Sequence, residues 1–264
     1  MIKKIITKII TNLKEPITLI KKILKRYKDS KKFGKDEKTY WNNLKDIHAG
    51  KPGYVVGNGP SLKIEDLTML KNKVTIASNK IYLAFEKTDW RPSYYTTADA
   101  ILWEKLKYEI GKYFEHIHIP KYLDKGSVKQ VVYWNSKPME RSKKFSGDMS
   151  KQTFGGHTVT YENLQFAVHL GLNPIYIIGC DHYYPGEKNV KAGKPIKQSA
   201  DQSHFIKGYR KPGEVVYPAS IVDMENSYKE ARKYAEANDI KIFNATRGGH
   251  LEIFQRVNFD DILN

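Results

Sequence analysis

From Tyr54 onward, short apolar runs alternate with longer segments of helical periodicity, and that alternation restricts the fold more than any other feature of the chain. The runs at 54–56, 74–77, 94–96, 116–119, 131–133, 175–179 and 240–243 read as strands. Helices are expected over 64–70, 81–85, 101–114, 160–170 and 224–238, with Gly171 at the C′ position of the fourth. Strands alternating with helices argue for βαβ units, and continuous apolar strands belong to a sheet covered on both faces. The pattern predicts an α/β fold with a mostly parallel sheet. Polar residues fill 135–155 as a loop, and 251–263 closes the chain. Lys, Gly and Pro displace any periodicity over about 184–215, which reads as a long loop or lid.

Composition narrows the possible partners. The 264 residues are 40% hydrophobic and 12% aromatic, enough for a real core. The net charge is +16, but residues 1–40 hold 13 Lys/Arg against 4 Asp/Glu and so supply nine of those charges. The remainder is only mildly basic. With no zinc-finger spacing, RNA-recognition signature or Arg-rich reading helix, nucleic acid is not expected as a partner, whereas phosphorylated or acidic substrates suit the charge. The single cysteine, Cys180, can form neither an internal disulfide nor a multi-cysteine metal site, and this favours a reducing compartment such as the cytoplasm.

Residues 1–50 read as a basic amphipathic helical extension with a linker. Ile2, Ile5, Ile6, Ile9, Ile10 and Leu13 recur at helical spacing among Lys3, Lys4, Lys8 and Lys14; after Pro16 the pattern resumes as Ile17, Ile20, Ile23, Leu24 and Tyr27. No apolar run approaches the roughly 20 residues of a membrane span. Residues 1–27 are therefore expected to lie on an anionic membrane surface, peripherally, at the inner face of the cell membrane. The alternative is packing on the chain's own domain or on a second copy, a homo-oligomer. Residues 28–52 read as a linker around one short helix near 40–47.

Candidate site residues cluster at strand ends. Gly57-Asn58-Gly59-Pro60-Ser61-Leu62 follows the first strand as a tight turn. Its glycines would allow φ > 0 and close ligand approach, and Ser61 would cap the next helix, whose N-terminus favours a phosphate. The turn is neither a P-loop nor the G-x-G-x-x-G fingerprint. Asn79 ends the second strand, and Thr97 and Asp99 follow the third; alone, each is an ordinary turn residue. Asp181-His182-Tyr183-Tyr184 follows the strand at 175–179, and His204 lies inside the lid. Ligands of open α/β sheets bind beyond the carboxyl ends of the strands, where these residues belong. Histidine suits general-base work near neutral pH, and tyrosine hydroxyls can bind a departing phosphate. His157, His182 and His250 lack metal-ligand spacing, so no metal is expected.

Gly57 to Leu62, Ser78-Asn79, 158–171, Ile175 to Tyr183 and Ser203-His204-Phe205 together resemble the bacterial sialyltransferases of glycosyltransferase family 42. The ending Phe243-Asn244-Ala245-Thr246-Arg247-Gly248-Gly249-His250 resembles the related motility-accessory-factor flagellin glycosyltransferases. The resemblance implies a Rossmann-like single domain over 51–264 that binds a CMP-activated nonulosonic sugar and passes it to a glycan acceptor, with inversion and without metal or cofactor. It implies that Asn58, Gly59 and Asn79 hold the nucleotide and its phosphate, that Thr158 lies beside the cytidine, that Tyr183 binds phosphate and that His204 is the catalytic base. The chain departs from that pattern at Thr97, where the family has Asn, at Val159-Thr160, in place of Ser-Gly, and at Asn189, in place of a second tyrosine. Tyr184 and Tyr209 are the candidates for the missing hydroxyl. The same wider resemblance extends to archaeal 6-hydroxymethyl-7,8-dihydropterin pyrophosphokinase, which implies the alternative of ATP and Mg²⁺ held by Asp99 and Asp181. A non-catalytic, membrane-attached nucleotide- or glycan-binding protein is the remaining alternative.

Overall fold

The run Gly53–Val56 forms β1, and all four of its residues are buried. The computed structural model describes residues 34–124, 126–137, 144–184, 196–197 and 203–263. β1 pairs in parallel with β2 (Val74–Ser78) on one side and β8 (Ile175–Ile178) on the other, so Val55 stands opposite both Ile76 and Ile177. Beyond β2 lie β3 (Tyr94–Thr96), β4 (Ile117–Pro120) and β5 (Val131–Trp134); beyond β8 lie β11 (Ile242–Asn244) and β12 (Gln255–Arg256). The eight strands run β12-β11-β8-β1-β2-β3-β4-β5, and every ladder is parallel. This is the expected Rossmann-like α/β domain with a mostly parallel sheet. The chain builds outward from β1 and then returns to β8 on β1's other side. A reversal of this kind opens a crevice at the carboxyl ends of the two strands.

Because side chains alternate across a strand, β1 feeds two cores. Val55, Ile76 and Ile177 join one cluster with Trp41, Leu164 and Phe166. Tyr54, Val56, Ala77 and Ile178 join the other with Leu67, Tyr95 and Trp103. The first is covered by α1 (Lys35–Leu44), α4 (Val159–His169) and α5 (Ile221–Ala237); the second by α2 (Ile64–Met69) and α3 (Ala100–Ile110). α4 is buried on nearly every side, including Glu162, Asn163, Gln165 and His169. Its polar side chains hold the surrounding loops: Gln165 accepts from Ser146 N and Phe154 N and donates to Phe154 O, while Asn163 accepts from the Thr96 hydroxyl at 2.6 Å.

Several elements differ from their sequence expectation. The helix expected near 40–47 is α1, and residues 34–50 do not form a linker. Trp41 is fully buried and donates to Tyr133 O at 2.7 Å, His169 Nε2 donates to Trp41 O at 2.8 Å, and Gly50 N donates to Gly171 O. A buried aromatic with a satisfied indole binds this segment to the domain more strongly than its polar composition suggests. The helix expected at 81–85 is a 3₁₀ helix, Asn79–Ala84, and the polar loop 135–155 contains the parallel pair β6 (Ser136–Lys137) and β7 (Thr153–Phe154). The amphipathic pattern of 1–27 lies outside the described residues, as does much of the lid. The described lid residues include β9 (Ile196–Lys197), antiparallel to β10 (Val215–Val216), and the segment 203–214. Among the described residues, no helix is long and apolar enough to cross a membrane.

His118 in β4 links α1 to the sheet. Its Nδ1–H donates to Tyr95 O at 2.9 Å, and Nε2 accepts from the Tyr40 hydroxyl at 2.9 Å. Burial lowers its pKa to about 4 despite the carbonyl partner. The unfolded chain takes up this proton near pH 6.5 and the native state only near pH 4, so stability falls as pH drops through that window, by about 3 kcal/mol for this group. Urea unfolding at pH 7 and pH 4 reads the effect. His118→Gln is expected to flatten the dependence, and an unchanged slope would assign the pH sensitivity to other groups.

Candidate functional site

The turn after β1 is shaped by the end of β8. Gly57 N donates to Ile178 O, and Gly59 N donates to Gly179 O, both at 2.8 Å. Neither glycine lies in the left-handed region. Close approach requires them: a Cβ on Gly57 would strike the Gly179 carbonyl, and one on Gly59 would strike Asp181 Oδ2. Ser61 does not cap a helix. α2 starts at Ile64, and the Ser61 hydroxyl donates instead to Asp181 Oδ2 at 2.9 Å, with its N–H 3.2 Å from Asp181 Oδ1. The turn is thus tied across the crevice rather than continued into a helix N-terminus. Burial raises the Asp181 pKa, and the Ser61 hydrogen bonds oppose that shift.

The neighbouring strand ends supply polar atoms at fixed positions. Asn58 Nδ2 donates to Ser78 O at 3.2 Å, and its buried Oδ1 has no hydrogen-bond partner among the described residues. Asn79 sits in the left-handed region at φ 57°, which Asn tolerates better than most residues. Its carbonyl accepts from the Tyr95 hydroxyl at 2.7 Å, and its Oδ1 accepts from the Thr97 hydroxyl at 3.0 Å. Asp99 is the N-cap of α3, its Oδ1 accepting from Ile101 N and Leu102 N. Thr158 is the N-cap of α4 and accepts from Thr160 N.

After β8, burial pushes the Cys180 thiol up to about 12, which removes it as a nucleophile. His182, at φ 54°, is buried; its Nε2 lies 3.5 Å from Glu225 Oε1, and neither ring nitrogen has a partner in hydrogen-bond geometry among the described residues. Burial lowers its pKa, with Glu225 opposing, so the ring is neutral at pH 7. Tyr183 is 46% exposed, with its ring 5.4 Å from that of His250. Across the crevice, Phe205 N donates to Asn58 O at 3.1 Å and fastens the segment bearing His204 to the first turn. The His204 ring stacks on Tyr209 at 3.8 Å and 9°.

A cleft of about 560 Å³ joins these parts. Gly57, Asn58, Gly59, Asn79, Asp99, Thr158, Asp181, Tyr183 and His204 line it; Ser61 and Thr97 do not, and stand behind Asp181 and Asn79 as their hydrogen-bond donors. Tyr184 and Tyr209 line it as well. Sequence reasoning missed Glu162, Arg210 and Tyr228; Ser203, read with His204 in the lid, lines the cleft as well, and its hydroxyl has no hydrogen-bond partner among the described residues. Glu162 was open to inference, because it follows the Thr158 cap on the first turn of α4; Arg210 and Tyr228 carry no local signal. Arg210 is the only Lys or Arg among the described lining residues, against Asp99, Glu162 and Asp181. Among the described residues, no group of three His, Cys, Asp or Glu is placed to hold a metal ion.

A protein-family profile described as 6-hydroxymethylpterin diphosphokinase MptE-like matches residues 13–187. Among solved structures, the Maf glycosyltransferase from Magnetospirillum magneticum AMB-1 shares the fold, with a TM-score of 0.53 and 16% identity over 86% of this chain. The match spans only 38% of that protein's chain. No curated protein sequence matches this one.

The contact between the turns makes a direct prediction. Gly59→Ala drives a methyl into the Asp181 carboxylate and is expected to destabilise the fold by about 1–3 kcal/mol, the usual cost of overpacking. Chemical denaturation measures this, and a variant as stable as the parent would show that the two turns can separate.

Proposed function

This chain belongs to the 6-hydroxymethylpterin diphosphokinase MptE-like family, and we propose that it is a glycosyltransferase that moves a nonulosonic, sialic-acid-like sugar from a CMP-activated donor to a glycan acceptor. The observation that carries the reading is the Phe205 N to Asn58 O bond, which sets His204 and the Gly-Asn-Gly turn on one cleft. The fold shared with the Maf glycosyltransferase agrees with it. In the proposed step, the acceptor hydroxyl attacks the anomeric carbon as His204 takes its proton. The bond from that carbon to the phosphate oxygen breaks, its electron pair leaves with CMP, and the configuration inverts. Asn58, Gly59 and Asn79 hold the nucleotide and phosphate, Thr158 lies beside the base, and the Tyr183 hydroxyl donates to the departing phosphate. A lining with three carboxylates and one arginine suits a monophosphate ester better than the denser charge of a diphosphate.

The family's description favours a second reading, diphosphate transfer from ATP with Mg²⁺ held by Asp99 and Asp181. The hydrogen bonds weigh against it. Both Asp181 oxygens accept from Ser61, and one oxygen of Asp99 caps α3, so the pair fits structural duty better than a metal bridge. A third reading, binding without turnover, is an outcome of the same tests.

His204→Ala is expected to lower transfer by about 10²–10⁴-fold, the range for a lost general base, while the CMP-induced thermal shift persists. Turnover at the parent rate would remove His204 from the role. In a thermal-shift panel of CMP, CDP, UDP, GDP and ATP, each with and without Mg²⁺, CMP alone is expected to stabilise the protein. A response to ATP only with Mg²⁺ would favour the diphosphokinase reading, and a response to UDP but not CMP would overturn the donor class.

The basic pattern of residues 1–27 completes the proposal: the enzyme works in the cytoplasm on surface-glycan precursors while resting on the anionic inner face of the cell membrane. Sedimentation with anionic vesicles compares the full chain with residues 34–264, a boundary that keeps α1 intact. The full chain is expected to co-sediment and the shortened one to stay in solution. Equal binding would sink the membrane contact and leave packing on protein, including a homo-oligomer, as the use of the segment.

A further inference from the structure

His204 stands in a segment with neither helix nor strand; the Phe205 N to Asn58 O bond holds the backbone beside it, and contacts of its ring orient the imidazole. Its face lies flat on Tyr209, with centroids 3.8 Å apart and planes 9° from parallel. Tyr209 is buried, and Lys80 grips it at three points. The Lys80 ammonium donates to the Tyr209 carbonyl at 2.6 Å, the Lys80 backbone N–H donates to the Tyr209 hydroxyl oxygen at 3.3 Å, and the ammonium lies 5.5 Å from the ring centre. Glu214, 3.2 Å from the ammonium, balances its charge and also accepts from Lys211 N, closing the segment on itself. Lys80 follows Asn79 directly at the end of β2, which makes it the residue through which a rigid strand end holds the ring behind His204.

We infer that Lys80 is a positioning residue: by clamping Tyr209 it holds the His204 imidazole at the angle from which it serves the cleft. The catalytic half of this inference rests on the glycosyltransferase reading; the geometric half does not. A charged hydrogen bond that is partly buried is strong enough to fix a loop, and displacement of a reacting group by about 1 Å can cost on the order of 100-fold in rate. Lys80 itself does not line the cleft, so its loss is expected to reach the reaction through His204 and not through donor binding.

Two readouts on the full-length chain test the two halves. In proton NMR, with His204 assigned by the signal missing from His204→Gln, its ring protons are expected upfield of free histidine because they lie over the Tyr209 ring. Lys80→Met is expected to return them to the free value, and Lys80→Arg to keep most of the displacement. If the displacement persists in Lys80→Met, the positioning role is overturned, whatever reaction the protein performs. If Lys80→Met does not fold, Lys80→Gln takes its place in the same measurement. In transfer assays with a CMP-sugar, Lys80→Met is expected to lower kcat by about 10–100-fold with the donor KM within about threefold, and Lys80→Arg to recover most of the loss. A lost displacement with unchanged kcat would overturn the catalytic half. Failure of the parent to use any CMP-sugar would overturn the proposed function but leave the NMR result standing.

Discussion

The contact on which the site depends is the one between the ends of β1 and β8. These strands are hydrogen-bonded neighbours that leave the sheet toward opposite sides, so their turns must separate the two halves of the domain while touching each other. Two backbone bonds, Gly57 N to Ile178 O and Gly59 N to Gly179 O, bring the turns so close that neither position tolerates a Cβ. Ser61 and Asp181 then close the same junction from the side-chain level. Everything offered to a ligand is referenced to this junction: Asn58 beside Ser78, Asp181 on the opposite turn, and Phe205, which brings the His204 segment onto Asn58. The glycines act here by absence of a side chain and not by unusual dihedrals. A phosphate-binding reading based on the helix behind the turn gives way to one based on the polar groups that the junction places.

The packing around that junction is organised by an unusual helix. α4 is buried along its length yet carries Glu162, Asn163, Gln165 and His169. Such groups are costly to bury unless bonded, and three of them are used to hold neighbouring segments: Gln165 the 146–154 region, Asn163 the Thr96 hydroxyl at the end of β3, and His169 both Met149 N and Trp41 O of α1. His169, like His118, is kept neutral by burial, so α1 is joined to α4 and to the sheet through imidazoles that do not charge at pH 7. The N-terminus of this helix, capped by Thr158, faces the cleft, and the same element that organises the core therefore supplies one wall of the site.

The electrostatic character of the cleft follows from its lining and not from the chain's overall charge. A net +16 describes a basic molecule, yet the described lining sets Asp99, Glu162 and Asp181 against Arg210. Much of the positive charge belongs to residues 1–40. The charge that would draw the protein to an anionic surface and the polarity that would select its ligand are separate properties, and only the second depends on the fold.

The apolar alternation from Tyr54 onward determined the α/β class, the parallel sheet and seven of its eight strands, because burial on both faces leaves an unambiguous run of apolar residues; the two-residue strands β6, β7, β9, β10 and β12 carry no such run. It also indicated which strand ends carry polar residues, and Gly57, Asn58, Gly59, Asn79, Asp99, Asp181 and Tyr183 line the cleft from those ends; His204, in the lid, and Thr158, which only the family resemblance points to, line it too. Tertiary structure decided what local patterns cannot encode. Lys35–Leu44 is a packed helix because Trp41 finds Tyr133, 92 residues away. Ser61 and Thr97 support other residues because Asp181 approaches Ser61 across the crevice and Asn79, at the end of the neighbouring strand, approaches Thr97. Arg210, Tyr209 and Lys80 matter because an irregular segment, with no periodicity to read, docks on β1 and β2. Strand and helix follow from the spacing of neighbours in the chain; a site at a sheet reversal follows from contacts between residues that only the completed topology brings together.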